Sequence, residues 1–332
     1  MAFRLQKLPY LAFEEVLREM DIREKFILAA SSKKSARSVK LCPRPPKLEL
    51  NIGYDDEWAL IVYPSDEKET IKTVYTSSEC QKDGECLGKT VFSVLEFIAD
   101  VFNKPPANLS IDEYGMKRFH KYSRFFKKIN VTLKHVHIYC HPGNIQNRLE
   151  TLKEVPSVYI YLEEHTNPPT PVNTGIQYHF DTIVIYTNLL ENPEWHKDLL
   201  LCMIDCKAVS IKPDVYKEEY EEDDDEEQEE EEVLTIQDLT DILIKWIAGS
   251  KMECFTIDGI DVTNFADVFK SLGQVVPVRA AKFENFDGIR KMTEFEENKC
   301  FLIQQKDDGP KAIVVIDDDY VLLETDFELV QI

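Results

Sequence analysis

LTIQDLTDILIKWIAGSKMECFTI, residues Leu234 to Ile257, carries one complete helix-to-strand step. Thr235 can cap a helix that has Asp238 near its start. Leu239, Ile242, Leu243 and Trp246 follow at helical spacing and form its buried stripe. Gly249 ends it, because glycine accepts the backbone angles that close a helix. MECFTI (Met252 to Ile257) then reads as a strand. All of these residues are read as structural rather than catalytic.

Upstream, similar β-type runs recur: LKHVHIY (Leu133 to Tyr139), PSVYIYL (Pro156 to Leu162), FDTIVIY (Phe180 to Tyr186) and CKAVSI (Cys206 to Ile211). Their centres Val136, Val158, Ile183 and Val209 stand 22, 25 and 26 residues apart. Phe255 lies 46 further on, or 31 once a 15-residue acidic run in that gap is set aside. Helical or loop patterns separate the runs: RLETLKEV, LLENPEWHKDLLLCM and the Trp246 helix. A strand with a helix or loop every 20 to 29 residues or so is the leucine-rich-repeat rhythm. The asparagine or cysteine ladder of that repeat is missing, so the architecture is leucine-rich-repeat-like only, and an ordinary α/β domain with an irregular mixed sheet stays open. KCFLIQQKDDGPKAIVVIDDDYVLLET (Lys299 to Thr325) reads as a C-terminal β-hairpin around Asp308-Gly309.

At the other end, Leu8-Pro9 precedes Leu11, Phe13, Val16, Leu17 and Met20, one stripe of a helix that starts after Pro9. Asp21, with Glu24 as capping-box partner, opens a second short helix whose apolar part is Phe26, Ile27, Leu28 and Ala29. Ser31 to Lys40 is polar, and Pro43, Pro45 and Pro46 end the helical region. Three helices in some forty residues bury too little surface to be very stable alone. Either a partner covers the stripe or the rest of the chain does. Between the two ends, KLELNIGYDDEWALIVYP (Lys47 to Pro64) predicts a β-hairpin turning at Asp55-Asp56, residues 66 to 88 a loop, and TVFSVLEFIADVFN (Thr90 to Asn103) a helix stopped by Pro105-Pro106.

LPYLAFEEVLREMDIREKFILAASSKKSARSVK (Leu8 to Lys40) resembles an F-box of the kind expanded in nematodes. Leu8, Pro9, Leu11, Val16, Leu17, Met20, Glu24, Ser32, Lys33 and Lys34 match its pattern, and Ala29-Ala30 depart from it where Ser and Cys are usual. The Trp246 segment resembles the F-box-associated domain, type 2, through Leu234, Thr235, Asp238, Leu239, Leu243, Trp246, Gly249 and Ser250. The two resemblances occur in the family's order. They imply an F-box over residues 3–42 and a substrate-recognition domain over 129–332, with the F-box-associated region at about 195–270. A β-hairpin and helix connecting region, 43–128, lies between them. By resemblance, Leu8, Pro9, Leu11, Val16, Leu17, Met20, Phe26 and Leu28 bind a Skp-family adaptor or support that contact, and through it a cullin–RING ubiquitin ligase. The target protein is not named by any motif. The rival readings are an interaction protein that engages no ligase and an enzyme with a non-local site.

Charge narrows the partners. The net charge of −22 is concentrated in residues 218–232 (EEYEEDDDEEQEEEE), which hold 13 acidic groups and no basic ones; without them the chain is at −9. A block of this kind self-repels and predicts a disordered insertion, inert or a lure for basic proteins. An acidic chain repels phosphate backbones, so nucleic acid is not an expected partner. No segment reaches the ~18 apolar residues of a membrane helix, and the N-terminus lacks a signal-peptide run. A cytosolic or nuclear protein with its eight cysteines reduced is expected. His135, His137, Cys140 and His141 lack zinc-motif spacing, and Asp317-Asp318-Asp319 reads as a solvated turn. No phosphate loop, nucleophile elbow or H-E-x-x-H motif is present, so neither cofactor nor catalysis is expected.

Overall fold

The computed structural model describes residues 8–41, 48–55, 57–64, 71–75, 84–111, 116–162, 171–187, 193–212, 235–258, 272, 275–284, 290–297, 299–317 and 320–330. The chain divides into two compact units, Met1–His137 and Ile138–Ile332, and both are mixed α/β. No helix among the described residues is long and apolar enough to cross a membrane.

The first unit opens with α1 (Tyr10–Glu19), α2 (Ile22–Ser31) and α3 (Lys33–Lys40). The expected capping box is present: the Glu24 N–H donates to Asp21 Oδ1 (2.6 Å) and the Asp21 N–H to Glu24 Oε2 (3.1 Å). α3 begins at Ser32, whose hydroxyl accepts from the Ser35 N–H at 3.1 Å. β1 (Leu48–Asp55) and β2 (Glu57–Pro64) form the expected hairpin, with Leu48 opposite Pro64 and Asp55 opposite Glu57.

The loop predicted for 66–88 is corrected at both ends. β3 (Ile71–Tyr75) pairs antiparallel with β2, and α4 (Gly84–Val101) begins six residues before Thr90. Two further elements were not foreseen: β4 (Ala107–Ile111), parallel to β1, and α5 (Met116–Ile129). The strand order here is β3-β2-β1-β4-β5, with β5 at Leu133–Cys140. The described elements of 43–128 thus belong to the first unit as strands and helices. Its helices meet through rings, Phe92 of α4 lying 4.4 Å from Phe125 and 5.3 Å from Tyr122 of α5.

The second unit runs through α6 (Ile145–Leu152), β6 (Ser157–Leu162), β7 (Thr182–Tyr186), α7 (Pro193–Cys202), β8 (Ala208–Lys212), α8 (Ile236–Ala248) and β9 (Cys254–Asp258). β6, β7, β8 and β9 are parallel neighbours in chain order. The C-terminal strands are β10 (Val276–Pro277), β11 (Ala280–Glu284), β12 (Arg290–Glu294), β13 (Cys300–Gln304), β14 (Lys311–Ile316), β15 (Tyr320–Glu324) and β16 (Phe327–Leu329). β15 returns antiparallel against β9, and the order continues β15-β14-β13-β10. The hairpin expected around Asp308-Gly309 is β13–β14. Asp307 and Asp308 both take positive φ there, and a Cβ on Gly309 would stand 2.8 Å from Gln305 Cβ, so only glycine fits.

Alternation divides the two faces of the parallel strands. Val158, Ile160, Ile183, Ile185, Val209, Ile211, Phe255 and Ile257 point to one face and are buried. Parallel strands laid down in one direction with right-handed crossovers carry their helices on a single face. α7 and α8 thus bring Leu199, Leu200, Leu239, Leu243 and Trp246, all buried, to that side. On the other face, β11, β12 and β16 form a second sheet. Ala281 and Phe283 of that sheet cluster with Ile313, Val315, Leu322 and Cys300.

The Trp246 helix behaves as its residues predict. Thr235 and Asp238 form a capping box, and Gly249 ends the helix at φ 125°. Trp246 is fully buried, and its Nε1–H donates to the Met252 carbonyl at 2.9 Å. Ser250 donates to the Ile204 carbonyl and accepts from the Met252 N–H. One short corner therefore locks α8 to the start of β9. Trp246→Ala should cost about 3–5 kcal/mol through the cavity and the orphaned carbonyl, whereas Trp246→Phe should cost less. Denaturant unfolding of both variants measures the difference.

Candidate docking surfaces

The residues expected to meet an adaptor divide by exposure. Leu17, Ile22, Ala29 and Val39 are buried. Leu8, Val16, Met20 and Leu28 are half-buried, and Pro9 is exposed. Leu11 is 75% exposed, and so is Leu41; Ile27 is 61% exposed. Phe26 turns inward, its ring edge-on to Phe97 of α4 at 5.8 Å. Lys40 pairs with Asp100 of the same helix. The unit is thus anchored on α4 through α2 and α3 while α1 presents Leu11 outward. Residues 3–7 and 42 of the expected F-box lie outside the described residues.

A second surface was not found from the sequence. On the parallel strands of the second unit, the face opposite α7 and α8 carries Tyr159, Tyr161, Val184, Tyr186, Ser210 and Lys212. Tyr139, Tyr161 and Tyr186 stand in one row at the carboxyl ends of their strands. Their rings stack at 4.7 Å and 17°, then 4.5 Å and 2°. Lys212 pairs in register with Tyr186, and Asp258, one residue past the last position that β9 pairs with β8, lies opposite Tyr320. Burial raises the Asp258 carboxyl above the usual carboxylate range, against the pull of Lys212. The signal for this row was in the sequence: VHIYC, YIYLE and VIYTN each place a tyrosine at the end of an apolar run. Only the register turns three separate tyrosines into a ladder.

The candidate metal ligands do not converge. Among the described residues, no three His, Cys, Asp or Glu side chains form a cluster fit for an ion. Alternation along β5 puts Cys140 on the buried side and His135 and His137 on the other. Burial also pushes the thiols of Cys202, Cys206 and Cys300 up to about 11, 12 and 12, which keeps them protonated and poorly nucleophilic. Among the described residues, Cys202, Cys206 and Cys300 are in no disulfide. Of the aspartate triplet, Asp318 and Asp319 lie outside the described residues, as does all of 218–232.

Comparison with protein-family models, with curated proteins and with solved structures finds no match to this chain.

His137 has a measurable consequence. Burial, helped by the neighbouring charge of His135, lowers its imidazole from 6.5 to about 4. Burial lowers His135 as well. A group that binds its proton more weakly when folded stabilises the fold above its unfolded pKa and loses that contribution as pH falls. Folding stability should therefore be full above about pH 6.5 and decline between about 6.5 and 4. Unfolding midpoints across that window, compared with His137→Gln, should show a flatter decline in the variant.

Proposed function

We propose that this chain is a substrate-recognition adaptor of a Skp–cullin–F-box ubiquitin ligase. Its N-terminal helices dock the Skp-family adaptor, and its second unit holds a target protein. The observation that carries this reading is the exposure of Leu11, Ile27 and Leu41 on a helical unit of thirty-odd residues. Exposed leucine and isoleucine side chains on so small a unit favour a covering partner. The matches from Leu8 to Lys34 name the kind of partner. In this reading the chain does no chemistry. It tethers a target near a conjugating enzyme and raises its effective concentration there.

The sequential parallel order of β6 to β9, with helices on one face, supports a leucine-rich-repeat-like reading of the target-binding unit. The anchoring of α2 and α3 on α4, through Phe26–Phe97 and Lys40–Asp100, favours a second reading in which the helices are retained without a ligase.

Capture of a purified Skp-family adaptor by the full chain separates the two. Wild type should bind. Leu8→Ala with Leu11→Ala should weaken binding by roughly tenfold or more at an unchanged melting temperature, because neither residue is part of the buried interior. Absence of binding by wild type overturns the ligase reading.

A further inference from the structure

The small sheet of the second unit ends on β12 at one side and on the shorter β16 at the other. In an antiparallel pair, successive residues direct their N–H and C=O groups alternately toward the neighbouring strand and away from it. The Phe295 N–H donates to the Arg279 carbonyl at 2.8 Å. Steps of two residues from that pair reach Thr293 opposite Ala281 and Lys291 opposite Phe283, so these pairs hold β12 to β11. The Val330 N–H donates to the Ala280 carbonyl at 3.1 Å, which is the same alternation on the far side of β11. The backbone groups of Arg290, Met292 and Glu294 therefore point away from β11, to the open edge.

Charge selects what can pair there. The side chains of Arg290, Met292 and Glu294 share the face turned away from Ala281 and Phe283. All three residues are exposed, Met292 at 54%. Charged edges ordinarily repel a strand of unrelated sequence. Here the order is cation, methionine, anion, and its complement is the same strand reversed. Antiparallel pairing of two copies about Met292 sets Arg290 of one opposite Glu294 of the other, at both ends. Parallel pairing in register would set like charges together, which destabilises a sheet. Arg290 is held on this face by Asp326 at 2.8 Å and Glu328 at 3.5 Å. Glu294 has no ion pair among the described residues.

We infer that β12 is a self-association edge, at which a second copy of this chain adds its own β12 antiparallel across a twofold axis at Met292. Each of the three opposed pairs exchanges both backbone hydrogen bonds, and the two exposed methionine side chains meet at the centre. So small a contact makes a weak, exchanging dimer rather than an obligate one. This goes beyond the proposed function and stands independently of it.

Sedimentation equilibrium of the full chain across the micromolar range, at about 150 mM salt, tests the pairing. Wild type should show a monomer–dimer equilibrium. Glu294→Arg sets arginine against arginine at both ends and should weaken the dimer by roughly tenfold or more. Adding Arg290→Glu makes the opposed charges unlike again and should recover most of that loss. Met292→Pro removes an outward N–H at the twofold axis and no bond to β11, so it should abolish the dimer at a nearly unchanged melting temperature. Thr293→Pro removes an inward N–H instead and should lower the melting temperature. A wild type that stays monomeric throughout the range overturns the proposal. So does a dimer that Glu294→Arg or Met292→Pro leaves intact, or one that the double charge exchange fails to restore in a variant that melts like wild type.

Discussion

The register of the parallel strands β6 to β9 is the constraint from which the rest of the second unit follows. Side chains alternate across a strand, and these strands pair without offset, so Val158, Ile183, Val209 and Phe255 fall in one line and Ile160, Ile185, Ile211 and Ile257 in another. Both lines must be kept from water. Right-handed crossovers place α7 and α8 over them, and Trp246 closes the corner where α8 turns into β9. A slip of one residue would send both lines to the opposite face.

The opposite face then has two fates along its width. Toward the C-terminus it is apolar, with Cys300, Ile313, Val315 and Leu322, and a second small sheet buries it. Toward β6 and β7 it carries tyrosines, serine and lysine, side chains that combine apolar bodies with polar ends. The division follows from residue type. Aliphatic rows on the outer face demand a cover, while tyrosines tolerate water at one end and pack against each other along their rings.

The first unit shows a different balance. Its N-terminal helices are too few to exclude water alone, and they make up part of the deficit by leaning on α4 through a phenylalanine pair and an ion pair. The ion pair is exposed and contributes little; the rings contribute more. Even so, three large aliphatic side chains stay in water.

Local chemistry was legible in the sequence. Thr235–Asp238 and Asp21–Glu24 are caps because hydroxyl and carboxylate oxygens reach the nearest orphan N–H groups, a matter of three residues. Five strand runs from Leu133 to Ile257, the Trp246 stripe and the turn before Gly309 could be read the same way, since periodicity and turn chemistry act over a few positions. β3 was hidden in a polar stretch. α5 was also missed, although Met116, Phe119, Tyr122 and Phe126 keep a helical period. The pairing of β15 with β9, across more than sixty residues, left no local mark. Nor did the tyrosine ladder. Each tyrosine announced only a strand end, and their stacking depends on which strands become neighbours and in what register. That choice is made by long-range burial of apolar rows, which only the tertiary structure decides.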